Sequence, residues 1–326
     1  MTYSAHTAVG ELPSAFLPEA VPYAVITPQG DPGPFPLCIV LHGGGGSRQS
    51  MIDCAGLYEN WWSDGSLPPM VLASPTAGMS YYLEDPAASV RWDAFIADSF
   101  VPHLRATCHV RDSRAATVIT GMSMGGYGAF KIAFSYPELF AAVAAMEPLL
   151  DPGLDAGQIT ARNKLHHGSG GPPRLIGPER DADLFAANNP ANRARANVQR
   201  IRDHDLAIYI EAGDEDFINV HDGAEFPHRV LWDLDVAHEY RLTCGADHVG
   251  PRLIPRLRES YVWLGSRLHN LLQPEAPEEV VPGAPVSPSS RECIRMLRAQ
   301  MEPVRKLAAA SDATTSRRYG VLPPAH

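Results

Sequence analysis

The sequence predicts an α/β fold built on a mostly parallel, doubly wound sheet with helices on both faces. Three observations point to it. Phe35 to Leu41, FPLCIVL, is the continuous apolar run that a strand buried on both faces requires. Strand-like and helix-like stretches alternate as far as Leu268. Thr117 to Phe130, TVITGMSMGGYGAF, carries β-branched Val118 and Ile119 into Gly121-Met122-Ser123-Met124-Gly125, and a helical pattern follows over Tyr127 to Phe134. A G-x-S-x-G turn between strand and helix strains the serine backbone and exposes its hydroxyl. Side chains at Gly121 and Gly125 would collide with the neighbouring strand and helix. The helix N-terminus aims N–H groups at the place where negative charge would develop.

The other elements follow in chain order. Met1 to Ala20 has little pattern and reads as a loose lead-in. Val21 to Thr27 reads as a strand, and Gln29 to Pro36 as a Pro/Gly turn region. After the apolar run comes His42-Gly43-Gly44-Gly45-Gly46-Ser47. This loop lacks the Lys-Ser/Thr of a phosphate-binding loop, so its glycines suit close approach of backbone N–H groups to a substrate oxygen. His42 is expected to bond loop backbone. Met70 to Ser74 is a short strand, and Thr76 to Asp85 a polar-aromatic loop at its end, where Tyr81 and Tyr82 are candidates to line a pocket. Asp93 to Ala106 is helical, with Phe95, Ile96, Phe100 and Leu104 on one face. Leu139 to Met146 reads as a strand ending at Glu147, a candidate to face the site, although a solvated loop carboxylate is the plainer expectation.

Asp151 to Arg202 turns Gly-, Pro-, Asn- and Arg-rich and reads as an insertion with short helices that shapes access to the sheet. Its His166 and His167 are adjacent on a loop, a poor chelate, and are expected in solvent. Leu206 to Ala212 and His238 to Cys244 read as strands, Ala224 to Leu234 and Ile254 to Leu268 as helices. The loop Gly213-Asp214-Glu215-Asp216-Phe217 follows the first of these strands, and Gly245-Ala246-Asp247-His248-Val249-Gly250 the second. Residues 1–272 are thus expected to form one catalytic domain with an insertion near 151–202. Residues 273–326 read as a Pro-rich linker and tail, with Ser289-x-x-Glu292 as a capping box for a short helix bearing Ile294, Leu297, Met301 and Val304.

Composition narrows the function. The chain has 326 residues, 45% of them apolar, and a net charge of −10. That charge, with no basic run, argues against nucleic-acid binding. Five scattered cysteines without a CxxC or HExxH pattern argue against a metal site. Cys38 and Cys244 are expected to be buried, reduced thiols. The N-terminal stretch lacks the basic start and apolar core of a signal peptide, and no apolar run is long enough to span a membrane. A cytoplasmic protein with no membrane partner and no cofactor is the expectation, and an oligomer is compatible with it.

A serine needs a base within hydrogen-bond reach, histidine suits best, and a carboxylate must hold its tautomer. On a parallel sheet these three meet only in loops at the strands' C-terminal ends. Ser123, Asp216 and His248 satisfy this in the order Ser, Asp, His. Asp216 is preferred to Asp214 because its loop has more room to curl toward His248. The oxyanion donors are expected to be the N–H of Met124 and one from Gly43 or Gly44, with Gly44 favoured.

GMSMGGYGAF, LHGGGG, the GDEDF loop and GADHVG together resemble the esterase branch of the α/β-hydrolases. That branch includes esterase D or S-formylglutathione hydrolases, feruloyl and tributyrin esterases, and mycolyltransferases. The resemblance covers roughly Val21 to Asn270. It implies a cofactor-free serine carboxylesterase, and its G-x-x-D pattern falls on Gly213 and Asp216; hydrolysis of a small or medium acyl ester is the first functional expectation. The chain departs from the branch at Met146-Glu147-Pro148, where a small pair such as Ser-Gly is usual, and in its C-terminal tail. Acyl transfer by the same three residues, and a non-catalytic scaffold binding a partner through its tail, are the competing functions.

Overall fold

The computed structural model describes residues 2–168, 171–176, 181–272 and 299. Apart from residue 299, these lie in one compact unit that ends at Pro274. The linker and capped helix expected within 273–326 lie outside the described residues.

The chain opens with β1 (Ser4–Leu12), which pairs antiparallel with β2 (Val21–Gln29) along its whole length. This corrects the expected loose lead-in. β1 is an edge strand with mostly exposed side chains, so it carries no apolar alternation; backbone pairing to β2 makes it a strand. Next come β3 (Leu37–Leu41), α1 (Arg48–Ile52), α2 (Ala55–Ser63) and β4 (Val71–Pro75). A two-residue pairing of β5 (Glu84–Asp85) and β6 (Val90–Arg91) leads into a continuous rod. The rod runs through α3 (Trp92–Ala94), a π-helical stretch at Phe95–Phe100 and α4 (Val101–Thr107). β7 (Thr117–Met122), α5 (Met124–Ser135) and β8 (Ala142–Met146) follow. The segment beyond holds the short helices α6 (Pro173–Ile176), α7 (Ala182–Asn188), α8 (Pro190–Ala196) and α9 (Val198–Asp203). β9 (Ala207–Gly213), α10 (Val220–Asp233), β10 (Glu239–Thr243) and α11 (Leu253–Leu272) close the fold.

The sheet has eight strands in the order β1-β2-β4-β3-β7-β8-β9-β10. β2 is antiparallel to both neighbours, and every pairing from β4 to β10 is parallel. Hydrophobic packing covers both faces. On one, Met51 of α1, Tyr58, Trp61 and Trp62 of α2, and Tyr261, Leu264 and Leu268 of α11 pack together. On the other, the rod, α5, α8 and α10 bury Phe95, Phe100, Phe130, Phe134, Ala194 and Leu231. This is the α/β-hydrolase architecture. Among the described residues no helix is long and apolar enough to cross a membrane. Cys38 is buried as expected, but Cys244 is exposed, because it lies just past the exposed edge strand β10.

The chain goes from β3 outward to β4, then returns to the other side of β3 as β7. Ligands bind at such a reversal, beyond the carboxyl ends of the strands. The reversal is held by contact between backbones. A Cβ on Gly125 would lie 2.0 Å from the carbonyl oxygen of Leu41, and one on Gly121 2.3 Å from that of Gly125. Gly125→Ala should therefore destabilise the fold by about 3 kcal/mol or more, since the obstacle is backbone that cannot rotate away. A fall in the urea midpoint of less than a tenth would contradict this packing.

Candidate active site

Ser123 sits between β7 and α5 with φ +57° and ψ −121°, a conformation that non-glycine residues rarely adopt. Three bonds hold it there. Its N–H donates to the carbonyl of Met146 (2.9 Å), and its carbonyl accepts from Tyr127 (3.0 Å) and Leu149 (3.1 Å). Its Oγ lies 3.0 Å from Nε2 of His248, which follows β10. Nδ1 of the same ring lies 2.6 Å from Oδ2 of Asp216, which follows β9. With Nδ1–H donating to the carboxylate, Nε2 presents a lone pair to the serine hydroxyl. The three residues are 9%, 8% and 3% exposed, so the line of bonds is largely screened from water. The other oxygen of Asp216 accepts from the N–H groups of Ile218 (2.9 Å) and Val220 (3.3 Å). Burial pushes the Asp216 carboxyl up, but the His248 bond and charge and these two N–H donors outweigh it and hold the carboxyl below its ordinary value.

Asp214 has a different role. Its Oδ1 accepts from the N–H of Gly245 (2.6 Å) at the exposed turn after β10. Asp247 accepts from the N–H groups of Phe217 (3.0 Å) and His248 (2.7 Å), joining the loops that carry Asp216 and His248. The loops touch so closely that a Cβ on Gly213 would lie 2.1 Å from the carbonyl oxygen of Ala246.

His42 bonds backbone on both sides. Its Nε2 accepts from Ala77 N–H (2.8 Å), so its Nδ1–H donates to the carbonyl of Gly43 (2.8 Å). Burial lowers its pKa against that bond, which suits a neutral ring. Gly43 lies against Ser123: a Cβ there would be 3.5 Å from the Ser123 Cβ. Gly44 would place one 3.2 Å from the sulfur of Met79. Met124 opens α5, so its N–H is among the first-turn donors that have no acceptor within the helix.

A cavity of about 380 Å³ opens at Ser123 and His248 and runs between α1–α2 and α11. Met51, Cys54, Tyr58, Leu257 and Tyr261 line it, together with Gly43 and Gly44. None of the three sequence candidates for substrate contact lines it. Tyr82 is fully buried; its hydroxyl donates to the carbonyl of His42 (3.1 Å), and its ring fills the space beside Gly128. Tyr81, also buried, packs edge-on against Tyr127. Both hold left-handed backbone conformations (φ 53° and 47°), which turn the loop inward instead of over the cavity.

Glu147 corrects the expectation more sharply. It is fully buried, with φ 44°, behind the line of bonds and away from solvent. Its Oε1 accepts from Gly213 N–H (3.0 Å) and from Arg256, while Oε2 has no hydrogen-bond partner among the described residues. Arg256, on α11, also grips both oxygens of buried Glu211 (2.6 and 2.9 Å) and the carbonyl of Asp247 (2.8 Å). One guanidinium therefore ties β8, β9 and the histidine loop together. Two carboxylates share this single cation. Burial raises the Glu147 carboxyl to about 8; Arg256 opposes the rise, and the negative charges of Asp216 and Glu211 add to it. Arg256 and Glu211 were not singled out in the sequence. Their signal was a glutamate inside the apolar strand LAIYIEA, a charge that needs a buried partner.

A family model described as "Putative esterase" matches residues 14–240, and the chain belongs to that family. An acetyl esterase of Caldicellulosiruptor saccharolyticus is 23% identical over 177 residues. That match covers 50% of this chain and 63% of that protein. A ferulic acid esterase superposes with a TM-score of 0.65 at 18% identity, covering 82% of this chain and 99% of the other. An S-formylglutathione hydrolase from Agrobacterium tumefaciens superposes at 0.59 and 18% identity, covering 81% and 96%.

Glu147 yields a pH prediction. Its folded pKa lies above its unfolded value, so its stabilising contribution is complete below about 4.5 and is lost as pH rises through about 8. Urea unfolding at intervals between pH 5 and 8 should show wild type losing more stability with rising pH than Glu147→Gln, which cannot ionise. Parallel curves would remove the raised carboxyl.

Proposed function

We propose that the chain is a serine carboxylesterase in which Ser123 is the nucleophile, His248 the general base and acid, and Asp216 the triad acid. The observation that carries this reading is the unbroken line from Ser123 Oγ through His248 to Asp216, at 3.0 and 2.6 Å. His248 Nε2 takes the Ser123 proton as Oγ attacks the ester carbonyl. Asp216 keeps Nδ1 protonated and stabilises the imidazolium. The N–H groups of Met124 and Gly44, with Gly43 beside them, receive the oxyanion. His248 then protonates the departing alcohol, and water releases the acyl group from Ser123 by the same steps. The apolar cavity between α2 and α11 favours acyl groups of small or medium size. The acetyl and ferulic acid esterase relatives support ester chemistry, and small esters are the substrate class.

A fluorophosphonate should label this protein at Ser123, mapped by peptide mass. Ser123→Ala should lower turnover of a p-nitrophenyl acyl ester about a millionfold and Asp216→Asn about ten-thousandfold. Asp214→Asn should stay within a few-fold of wild type, because it supports only a turn. Near-full activity in Ser123→Ala, or labelling of another serine, would end this assignment. Adding a competing alcohol to the acyl-enzyme separates hydrolysis from acyl transfer: water should account for most of the released acyl group.

A further inference from the structure

Asp151, His166 and His167 form a second cluster of chemically able side chains that the ester chemistry does not use. Asp151 lies on the chain leaving β8, and the histidines lie in a 3₁₀ stretch, Ala161–Gly168, of the following segment. The histidines were expected in solvent, yet His166 is 5% exposed and the His167 side chain 12%. Asp151 is 6% exposed. Nε2 of His167 stands 2.9 and 3.0 Å from the two Asp151 oxygens, and Nε2 of His166 stands 3.5 Å from Oδ1. The rings meet nearly at right angles, 89°, with centroids 4.6 Å apart. Adjacent residues thus turn the same nitrogen toward one carboxylate, and the three donor atoms all lie within 4.8 Å of one another.

The third donor changes the chemistry of the pair. Donors placed tetrahedrally about 2.0–2.1 Å from a zinc ion lie about 3.3 Å from each other. The shortest approach of each histidine to Asp151, 2.9 and 3.5 Å, brackets that spacing. Two imidazoles and a carboxylate suit zinc; magnesium and calcium take oxygen donors. Three protein donors leave a fourth position. Asp151 and His166 line a small enclosed cavity together with Tyr81, Tyr127 and Leu150. Its volume of about 10 Å³ is near the least that can hold a water, the usual fourth ligand of such a site.

We propose that Asp151, His166 and His167 bind a zinc ion, with a water in the fourth position. The ion fastens the segment after β8 to the sheet. Asp151 is anchored just beyond Leu149, whose N–H bonds the Ser123 carbonyl, so the site joins this segment to the end of the sheet that carries Ser123. The inference stands whether or not the chain proves to be an esterase.

The test uses the full-length chain without a histidine tag, stripped by a chelator and titrated calorimetrically with zinc chloride. One ion per chain is expected, with a rise in the thermal unfolding midpoint. His166→Ala and His167→Ala should each weaken binding at least about 100-fold, beyond the loss typical of outer-sphere partners. His248→Ala should bind zinc as wild type does, which sets this cluster apart from Glu147, Asp216 and His248, also grouped closely enough for a metal. Cobalt(II) bound to wild type should show the intense visible bands of a four-coordinate ion and no thiolate charge-transfer band, a readout that needs no variant. No zinc uptake, unchanged affinity in both histidine variants, loss of binding in His248→Ala, or a six-coordinate or thiolate cobalt spectrum would overturn the site.

Discussion

The backbone contact beneath Ser123 is the constraint on which the other features depend. Strand β7 must end, turn and enter α5 with no side chain between the turn and the neighbouring β3. Gly121 and Gly125 permit this, with hypothetical Cβ atoms only 2.3 and 2.0 Å from backbone. The cost appears at Ser123, whose φ of +57° is worth about 1–3 kcal/mol of strain. The Met146, Tyr127 and Leu149 backbone bonds offset it. Because β8 and its following loop supply two of those three groups, the chain after β8 bears directly on the geometry of the serine.

A second constraint lies behind His248. Asp216 and His248 come from loops on neighbouring strands near the sheet edge, where β10 is largely exposed. Loops there would separate unless something closed them. Asp247 bonds across them at the surface. Below it, Arg256 binds Glu211, Glu147 and the Asp247 carbonyl in one buried cluster. An arginine suits this position, since its planar fork reaches several acceptors at once and stays charged. The raised pKa of the Glu147 carboxyl favours its neutral form, which spares the cluster an excess negative charge next to Asp216.

Much of the site was legible because its elements have local signatures. The strand–turn–helix around Ser123, the glycines after β3 and the Gly-flanked histidine after the last strand each announce themselves within a few residues. Loop length favoured Asp216 over Asp214, and the two side chains bond differently: Asp216 reaches His248, and Asp214 the N–H of Gly245. The edge strand β1 was not legible: its exposed side chains carry no hydrophobic period, and its partner β2 alone makes it a strand. Tyr81 and Tyr82 misled because loop aromatics at a strand end read equally well as pocket wall or as core. Their positive φ values, invisible in sequence, turn them inward.

Glycine spacing and apolar period are local properties of the chain, so residue order was enough to give the α/β class and to single out Ser123 and His248 at one end of the sheet. Tertiary structure alone decided what surrounds them. It buried Glu147 beside Arg256, drew Asp151 to His166 and His167, and opened an apolar cavity between α2 and α11. Each of those depends on residues distant in the chain sharing one low-dielectric space, where a charge or a donor is tolerated only beside its complement.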